Sequence, residues 1–199
     1  MSALERRLHQ RLQQRDEQLR SRQRYASTAR CQPHMQLAAG AQLCFASNDY
    51  LGLAGHSDLQ AAAVAALAQY GTGAGASHLI SGHHRAHAEL EEALAEFTGR
   101  PRALLFGSGY AANMGTINAL LGRGDLLLQD SLNHASLIDG GLLCRADSKR
   151  YRHADVDSAE RQLESHQRAG AVTVLATDGV FSMDGDCAPL AQLAALCQP

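Results

Sequence analysis

Long apolar runs are missing from this 199-residue sequence. None approaches the ~20 residues that a membrane span requires, and the polar, Arg-rich N-terminus lacks the apolar segment of a secretory signal. A strong charge of one sign is missing as well, because the formal net charge is only −2. Such a balance gives no general attraction to nucleic acid or to an anionic membrane. We therefore expect partners of another kind.

Closely spaced cysteine pairs are also absent. The five cysteines are scattered, odd in number and never arranged as C-x-x-C, which favours reduced thiols and predicts a cytoplasmic protein without a disulfide framework. His83 and His87 lie four residues apart and could share a metal ion. They lack the glutamate of an H-E-x-x-H motif and an evident third ligand, so we expect polar histidines at a helix start and no metal.

The most informative stretch that is present runs over residues 102–122. The apolar run 103–106 predicts a buried strand, residues 107–110 (Gly-Ser-Gly-Tyr) predict a turn, and apolar residues at helical spacing follow from Tyr110. The free N–H groups at the start of such a helix can bind an anion, and Gly107 and Gly109 would let a phosphate approach the backbone. No Gly-Lys-Ser/Thr follows, so this is not a P-loop. An ordinary strand-to-helix turn is the alternative interpretation.

Three further runs, residues 125–129, 149–153 and 171–177, have the composition of strands, and helical patterns alternate with them. This alternation predicts an α/β fold with a parallel-rich sheet. The polar loops that hold Tyr110, His134 and Ser182 should then lie on one edge of the sheet, where open α/β sheets bind ligands. From position alone, His134 is as well explained by a structural role as by a ligand-binding role.

The front of the chain predicts a helical segment and a boundary. Ser2 and Glu5 form a capping-box pattern ahead of a leucine stripe that extends to Leu19. The arginine run that includes Arg22 could hold a carboxylate or a phosphate, although a solvated basic face is the simpler interpretation. Residues 71–76 match G-x-G-x-x-A, but a predicted helix precedes them and no helix follows, which excludes a dinucleotide fold. We expect an N-terminal and small-domain segment over 1–57 and a cofactor-binding α/β domain over 58–199.

Five sequence boxes in register resemble one family. They are SNDYLGL (47–53), SHLISG (77–82), RALLFGSGYAAN (102–113), NHASL (133–137) and TDGVFSMDGD (177–186). Together they resemble the α-oxoamine synthases, which are pyridoxal-phosphate enzymes with the aspartate-aminotransferase fold (fold type I). The resemblance covers essentially the whole chain. It implies pyridoxal 5'-phosphate as cofactor and a homodimer with sites at its interface.

The resemblance also implies residue roles. The backbone of Gly109 and Tyr110 would hold the cofactor phosphate, and Ser182 would donate or accept a hydrogen bond at the cofactor. His134 would stack on the pyridine ring and face the substrate. Arg22 would contact the substrate.

The implied reaction is a decarboxylative condensation of L-alanine with a pimeloyl thioester, carried by CoA or by acyl carrier protein. It gives an amino-ketone, carbon dioxide and the free carrier, and it belongs to biotin biosynthesis. The boxes SHLISG and NHASL favour this member, and Asn48 is expected to line its site. The sister activities, 2-amino-3-ketobutyrate CoA ligase and 5-aminolevulinate synthase, stay open.

One residue type that the chemistry needs is almost absent. The chain has a single lysine, Lys149, and nothing around it resembles the family's Schiff-base lysine box. The family's Asp-x-x-His box, whose Asp pairs with the pyridine nitrogen, is expected beyond Pro199 together with that lysine. We therefore expect the front part of a longer enzyme, inactive alone and with an incompletely paired sheet. The alternative is a non-catalytic binding or dimerisation partner.

Overall fold

The structure, a computed structural model, describes residues 1–37 and 40–197. The chain forms two compact units, Met1–His84 and Arg85–Pro199. The sequence predicts a different division, into a small-domain segment (1–57) and a cofactor-binding domain (58–199). That division stays a prediction. Across the described ranges, no helix combines the length and the apolar character needed to cross a membrane.

The first unit contains two helices and a two-stranded antiparallel ladder. Its elements are α1 (Ala3–Glu17), β1 (His34–Leu37), β2 (Gly40–Leu43) and α2 (Ser57–Tyr70), with a short 3-10 turn at Leu53–Gly55. The strand β2 ends at Leu43, and the turn-forming residues that follow it continue neither strand.

The helix α1 begins as the sequence predicts but ends earlier. The predicted capping box of Ser2 and Glu5 is confirmed. The leucine stripe was too long, because α1 ends at Glu17 and Leu19 has a positive φ of 54°. Residues 71–84 contain neither helix nor strand, which confirms the prediction that no helix follows the glycine pattern at 71–76.

The second unit alternates helices and parallel strands. Its elements are α3 (Arg85–Thr98), α4 (Gly109–Leu120), β3 (Leu126–Asp130), α5 (Ala135–Leu143), β4 (Asp147–Tyr151), α6 (Val156–His166), β5 (Thr173–Ala176) and α7 (Leu190–Leu196). The strand order is β4-β3-β5, and both pairings are parallel. The predicted α/β fold is confirmed, with β4 beginning two residues before the expected 149–153 run.

The core lies on both faces of β3, whose five residues are all buried. On one face, Leu128 packs in a cluster with Tyr151, Phe181 and Leu193. On the other face, Leu127 packs with Ile117 of α4 and with Leu121. A strand covered on both faces explains the three consecutive leucines that begin β3, since neither side alternates with solvent.

The expected buried strand over residues 103–106 was wrong. The segment pairs with no strand among the described residues, and Leu104 is 79% exposed. Its Leu105 N–H donates instead to the Glu91 carboxylate of α3, at 2.8 Å. Leu90, Leu94 and Phe97 of the neighbouring helix α3 are exposed as well. An apolar run becomes a strand only when a partner strand accepts its hydrogen bonds.

Candidate functional site

The first element of the site is the N-terminus of α4. Ser108 caps this helix, because its Oγ accepts a hydrogen bond from the Ala111 N–H at 3.1 Å. The Ser108 carbonyl accepts from the Ala112 N–H at 3.0 Å. The N–H groups of Gly109 and Tyr110 precede these bonds, so they are the first-turn donors that a ligand can use. A Cβ built on Gly107 or Gly109 would meet no atom within 4 Å. The turn therefore offers two N–H donors, a positive helix end and open space, which fits a phosphate group.

Tyr110 connects this turn to the next loop of the sheet edge. Its ring lies edge-on to the imidazole of His134, with centroids 6.3 Å apart at an interplanar angle of 76°. Its hydroxyl donates to the carboxylate of Asp139 in α5. This hydrogen bond raises the pKa of Tyr110, with burial and the Asp139 charge acting in the same direction. The hydroxyl therefore stays protonated near neutral pH.

His134 follows the carboxyl end of β3 and is the N-cap of α5. Its Nδ1 accepts from the Ser136 N–H at 3.2 Å and lies 2.7 Å from the Ser136 Oγ. Asn113 of α4 donates to the same Oγ at 2.9 Å. These contacts orient an imidazole that is itself exposed at the sheet edge. The structure thus brings together three predicted site residues, Gly109, Tyr110 and His134.

Two residues that the sequence interpretation missed hold the loop of His134. The amide of Asn133, which is 4% exposed, donates to the Ala176 carbonyl at 2.8 Å and accepts from the Asp178 N–H at 3.0 Å. The Asp178 carboxylate accepts from the His134 N–H at 2.6 Å. Asn133 follows the end of the buried strand β3, and Asp178 follows the end of the half-buried strand β5. Their polar character at that position was the available signal.

Ser182 lies on a hairpin that follows β5. The Phe181 N–H donates to the Asp186 carbonyl at 2.9 Å, the Gly185 N–H donates to the Phe181 carbonyl at 2.8 Å, and Val180 bridges to Cys187. Ser182 is exposed near the tip of this turn. It is four residues beyond Asp178, which contacts the His134 loop.

The remaining predicted residues lie elsewhere. Arg22 and Asn48 are exposed residues of the first unit, and their roles stay predictions. Lys149 lies within β4, where its ammonium pairs with Asp147 at 3.1 Å. Asp147 is the first residue of β4. The side chain of the single lysine is therefore directed toward the amino end of the sheet. His134 follows the opposite, carboxyl end.

The chain belongs to the aminotransferase class I and II family, which matches residues 41–198. Pyridoxal phosphate is the cofactor of this family, as the sequence boxes implied. Among curated proteins, the 8-amino-7-oxononanoate synthase of Hahella chejuensis is 55% identical over 165 residues, covering 83% of this chain and 41% of that protein. The resemblance to α-oxoamine synthases is thereby confirmed.

Solved structures of the same kind share the fold. Serine palmitoyltransferase from Sphingomonas wittichii matches with a TM-score of 0.88 and 30% identity, covering 98% of this chain and 49% of that one. The 8-amino-7-oxononanoate synthase of Francisella tularensis matches with a TM-score of 0.62 and 31% identity, covering 76% and 41%. The chain thus spans less than half the length of the relatives that it matches.

Proposed function

We propose that the protein is an α-oxoamine synthase that condenses L-alanine with a pimeloyl thioester, releasing carbon dioxide and the free carrier. The product would be 8-amino-7-oxononanoate, an intermediate of biotin biosynthesis. The names of the relatives support this specificity. The observation that carries the proposal is the N-terminus of α4, with two available N–H groups beside Tyr110 and His134 at one sheet edge.

Each residue of this edge has a definite task in the proposal. The N–H groups of Gly109 and Tyr110 donate to the phosphate of pyridoxal phosphate, and the helix macrodipole favours its charge. His134 would contact the ring of the cofactor, and Asn133 and Asp178 fix the backbone that carries this histidine. Ser182 approaches the cofactor from the hairpin after β5. When bound, pyridoxal phosphate supplies the electron sink for a carbanion at the amino-acid Cα.

Substrate binding and assembly are further parts of the proposal. Arg22 would pair with a carboxylate of the substrate, since a guanidinium forms two parallel hydrogen bonds with such a group. The protein would act as a homodimer in the cytoplasm.

A second function remains open because of Lys149. A pyridoxal-phosphate enzyme needs a lysine amine at the cofactor aldehyde, and the chain's only lysine is paired with Asp147 at the amino end of β4. If no other lysine is available, the protein would be a non-catalytic binding or dimerisation partner of a complete synthase. Reading the gene past codon 199 separates the two. An open frame with Asp-x-x-His and Ser/Thr-x-x-Lys boxes supports the synthase, and a stop codon supports the partner.

The activity test uses the full-length gene product saturated with pyridoxal phosphate. L-Alanine is supplied with pimeloyl-CoA or with pimeloyl acyl carrier protein, and the amino-ketone is detected by its mass. The substrate pairs of the sister synthases are assayed in parallel. We expect turnover with alanine and a pimeloyl thioester, with kcat/KM at least about 100-fold above the other pairs. Preference for another pair would overturn the assigned specificity.

A further inference from the structure

A second polar cluster connects the carboxyl end of β3 with the Ser182 hairpin and contains no residue that the proposed reaction uses. Its centre is His153, three residues beyond Arg150 in the loop that follows β4. The imidazole Nδ1 is 3.1 Å from the Asp130 Oδ1, and its Nε2 is 2.8 Å from the Asp186 Oδ2. A neutral imidazole has one N–H donor, whereas the imidazolium has two. Two carboxylates at opposite ring nitrogens therefore select the protonated form.

The first carboxylate is built into the end of β3. Asp130 is fully buried, and its Oδ1 also accepts from the Leu132 N–H at 2.8 Å. Its Oδ2 accepts from the Ala154 N–H at 2.9 Å. Ala154 has a φ of 51°, a left-handed conformation that is unfavourable for a non-glycine residue. Asp130 therefore fixes both the strand end that leads to His134 and the loop that carries His153.

The second carboxylate belongs to the hairpin that carries Ser182. The Asp186 carbonyl accepts from the Phe181 N–H at 2.9 Å, which closes the hairpin. Asp186 Oδ1 is buried and has no hydrogen-bond partner among residues 1–37 and 40–197. The imidazolium of His153 is therefore the charge that compensates this carboxylate. The buried ring of Phe181 lies edge-on to His153, with centroids 4.4 Å apart, so the same side chain packs against the base of the hairpin.

We propose that His153 is a positioning residue, whose imidazolium bridges Asp130 and Asp186 and so holds the Ser182 hairpin against the strand end that leads to His134. The loops of β3, β4 and β5 are joined through this one side chain. The inference rests on the proposed function only for the role of Ser182, because the bridge itself is made by described contacts.

The bridge has a defined pH dependence. The hydrogen bond to Asp130 raises the pKa of His153 most, the Asp186 hydrogen bond and both carboxylate charges act in the same direction, and burial opposes them. The neighbouring Arg152 is paired with Asp155 at 2.7 Å, and Tyr151 has a pKa raised mainly by burial. Because the folded-state pKa of His153 is raised, its stabilisation is complete below the unfolded value of about 6.5. It is lost as the pH rises through the folded value.

The main test is amide hydrogen exchange of the full-length protein between pH 6 and pH 9, expressed as protection factors. In the wild type, we expect protection of the 179–188 hairpin to fall at least about tenfold as His153 deprotonates, since hydrogen bonds to charged groups stabilise more than neutral ones do. His153→Gln should hold that protection near the wild-type value at pH 9 across the whole range and so remove its pH dependence. The matched control is His166→Gln in α6, where the imidazole Nδ1 lies 2.9 Å from the Gln162 carbonyl of the same helix. It should behave as the wild type.

Two further measurements separate positioning from a general loss of folding. Asp186→Asn removes one charge with little change in shape, and it should lower both the His153 pKa, measured by NMR, and the hairpin protection, while α6 keeps its protection. Pyridoxal-phosphate affinity should fall equally in His153→Gln, in Ser182→Ala and in the double variant. Wild-type hairpin protection in His153→Gln, or equal loss in α6, would overturn the inference. Absence of pyridoxal-phosphate binding in the wild type would overturn the proposed function and leave the exchange result to decide on the bridge.

Discussion

At the scale of single residues, the candidate site depends on backbone groups held by short side chains. Ser108 caps α4 and leaves the N–H groups of Gly109 and Tyr110 for a ligand. Asn133 and Asp178 hold the backbone of His134 from the end of β5. We therefore expect ligand binding at this site to be weakened by a larger side chain at Gly109 and by removal of the His134 ring.

The first residue-scale prediction concerns volume. In the full-length protein, Gly109→Val should weaken pyridoxal-phosphate binding by about 2 kcal/mol or more, because a β-branched side chain enters the space next to the donors. The fold should persist, since a Cβ at Gly109 meets no protein atom within 4 Å. Ala119→Val, an exposed site in the last turn of α4, is the matched control. An unchanged dissociation constant in Gly109→Val would remove the phosphate assignment.

The second residue-scale prediction concerns the His134 ring. His134 also caps α5, so His134→Ala removes both the ring and the cap, and an N-cap contributes about 1 kcal/mol. His134→Asn removes the ring and keeps a good cap. We expect both variants of the full-length protein to lose turnover and to shift the cofactor absorbance band, while His134→Asn keeps wild-type thermal stability. Wild-type turnover and spectrum in His134→Asn would leave His134 with the structural role alone.

At the scale of elements, the sequence predicts those parts whose partners lie nearby along the chain. The apolar run of β3 and the β-branched run of β5 both form strands, because each finds the other beside it. The start of α4 after a serine and a glycine is local capping chemistry, so it was predictable as well. Residues 103–106 have an equally good strand composition, but pairing is decided by tertiary neighbours that periodicity does not report.

Parts of the site were hidden from the sequence for the same reason. The contact of Asp178 with the His134 N–H joins residues 44 positions apart. The bridge from His153 to Asp186 joins residues 33 positions apart. Neither sequence separation is typical of a particular motif, so no pattern in the sequence indicates that these residues are in contact. The roles of Gly109, His134 and Ser182 came from the resemblance, whereas the available donors at α4 could be predicted from helix geometry.

The element-scale prediction compares two leucines. In the 199-residue chain, Leu128→Ala should lower the free energy of unfolding by about 2–5 kcal/mol, because Leu128 is fully buried in β3. Leu104→Ala should change it by less than about 0.5 kcal/mol, since Leu104 is 79% exposed. Urea denaturation at low protein concentration measures both. A cost for Leu104→Ala as large as that for Leu128→Ala would show that residues 103–106 are buried after all.

At the scale of the whole molecule, the central claim is that this chain supplies only part of a pyridoxal-phosphate site. In the proposed site, this chain would supply the phosphate donors and the ring-facing histidine, whereas its single lysine is directed to the other end of the sheet. The chain spans less than half the length of its relatives, and β5 pairs on one edge only among the described residues. An unpaired strand edge and exposed leucines favour association. We therefore expect the 199-residue chain alone to be poorly soluble.

Borohydride reduction followed by mass spectrometry tests this claim most directly, because it fixes a pyridoxyl group on the lysine that carries the cofactor. The 199-residue chain and the full-length gene product are each incubated with pyridoxal phosphate, reduced and digested. We predict sparse, non-specific labelling of Lys149 in the 199-residue chain and stoichiometric labelling of one lysine outside residues 1–199 in the full-length product. Stoichiometric, site-specific labelling of Lys149 in a soluble, folded chain would contradict the account.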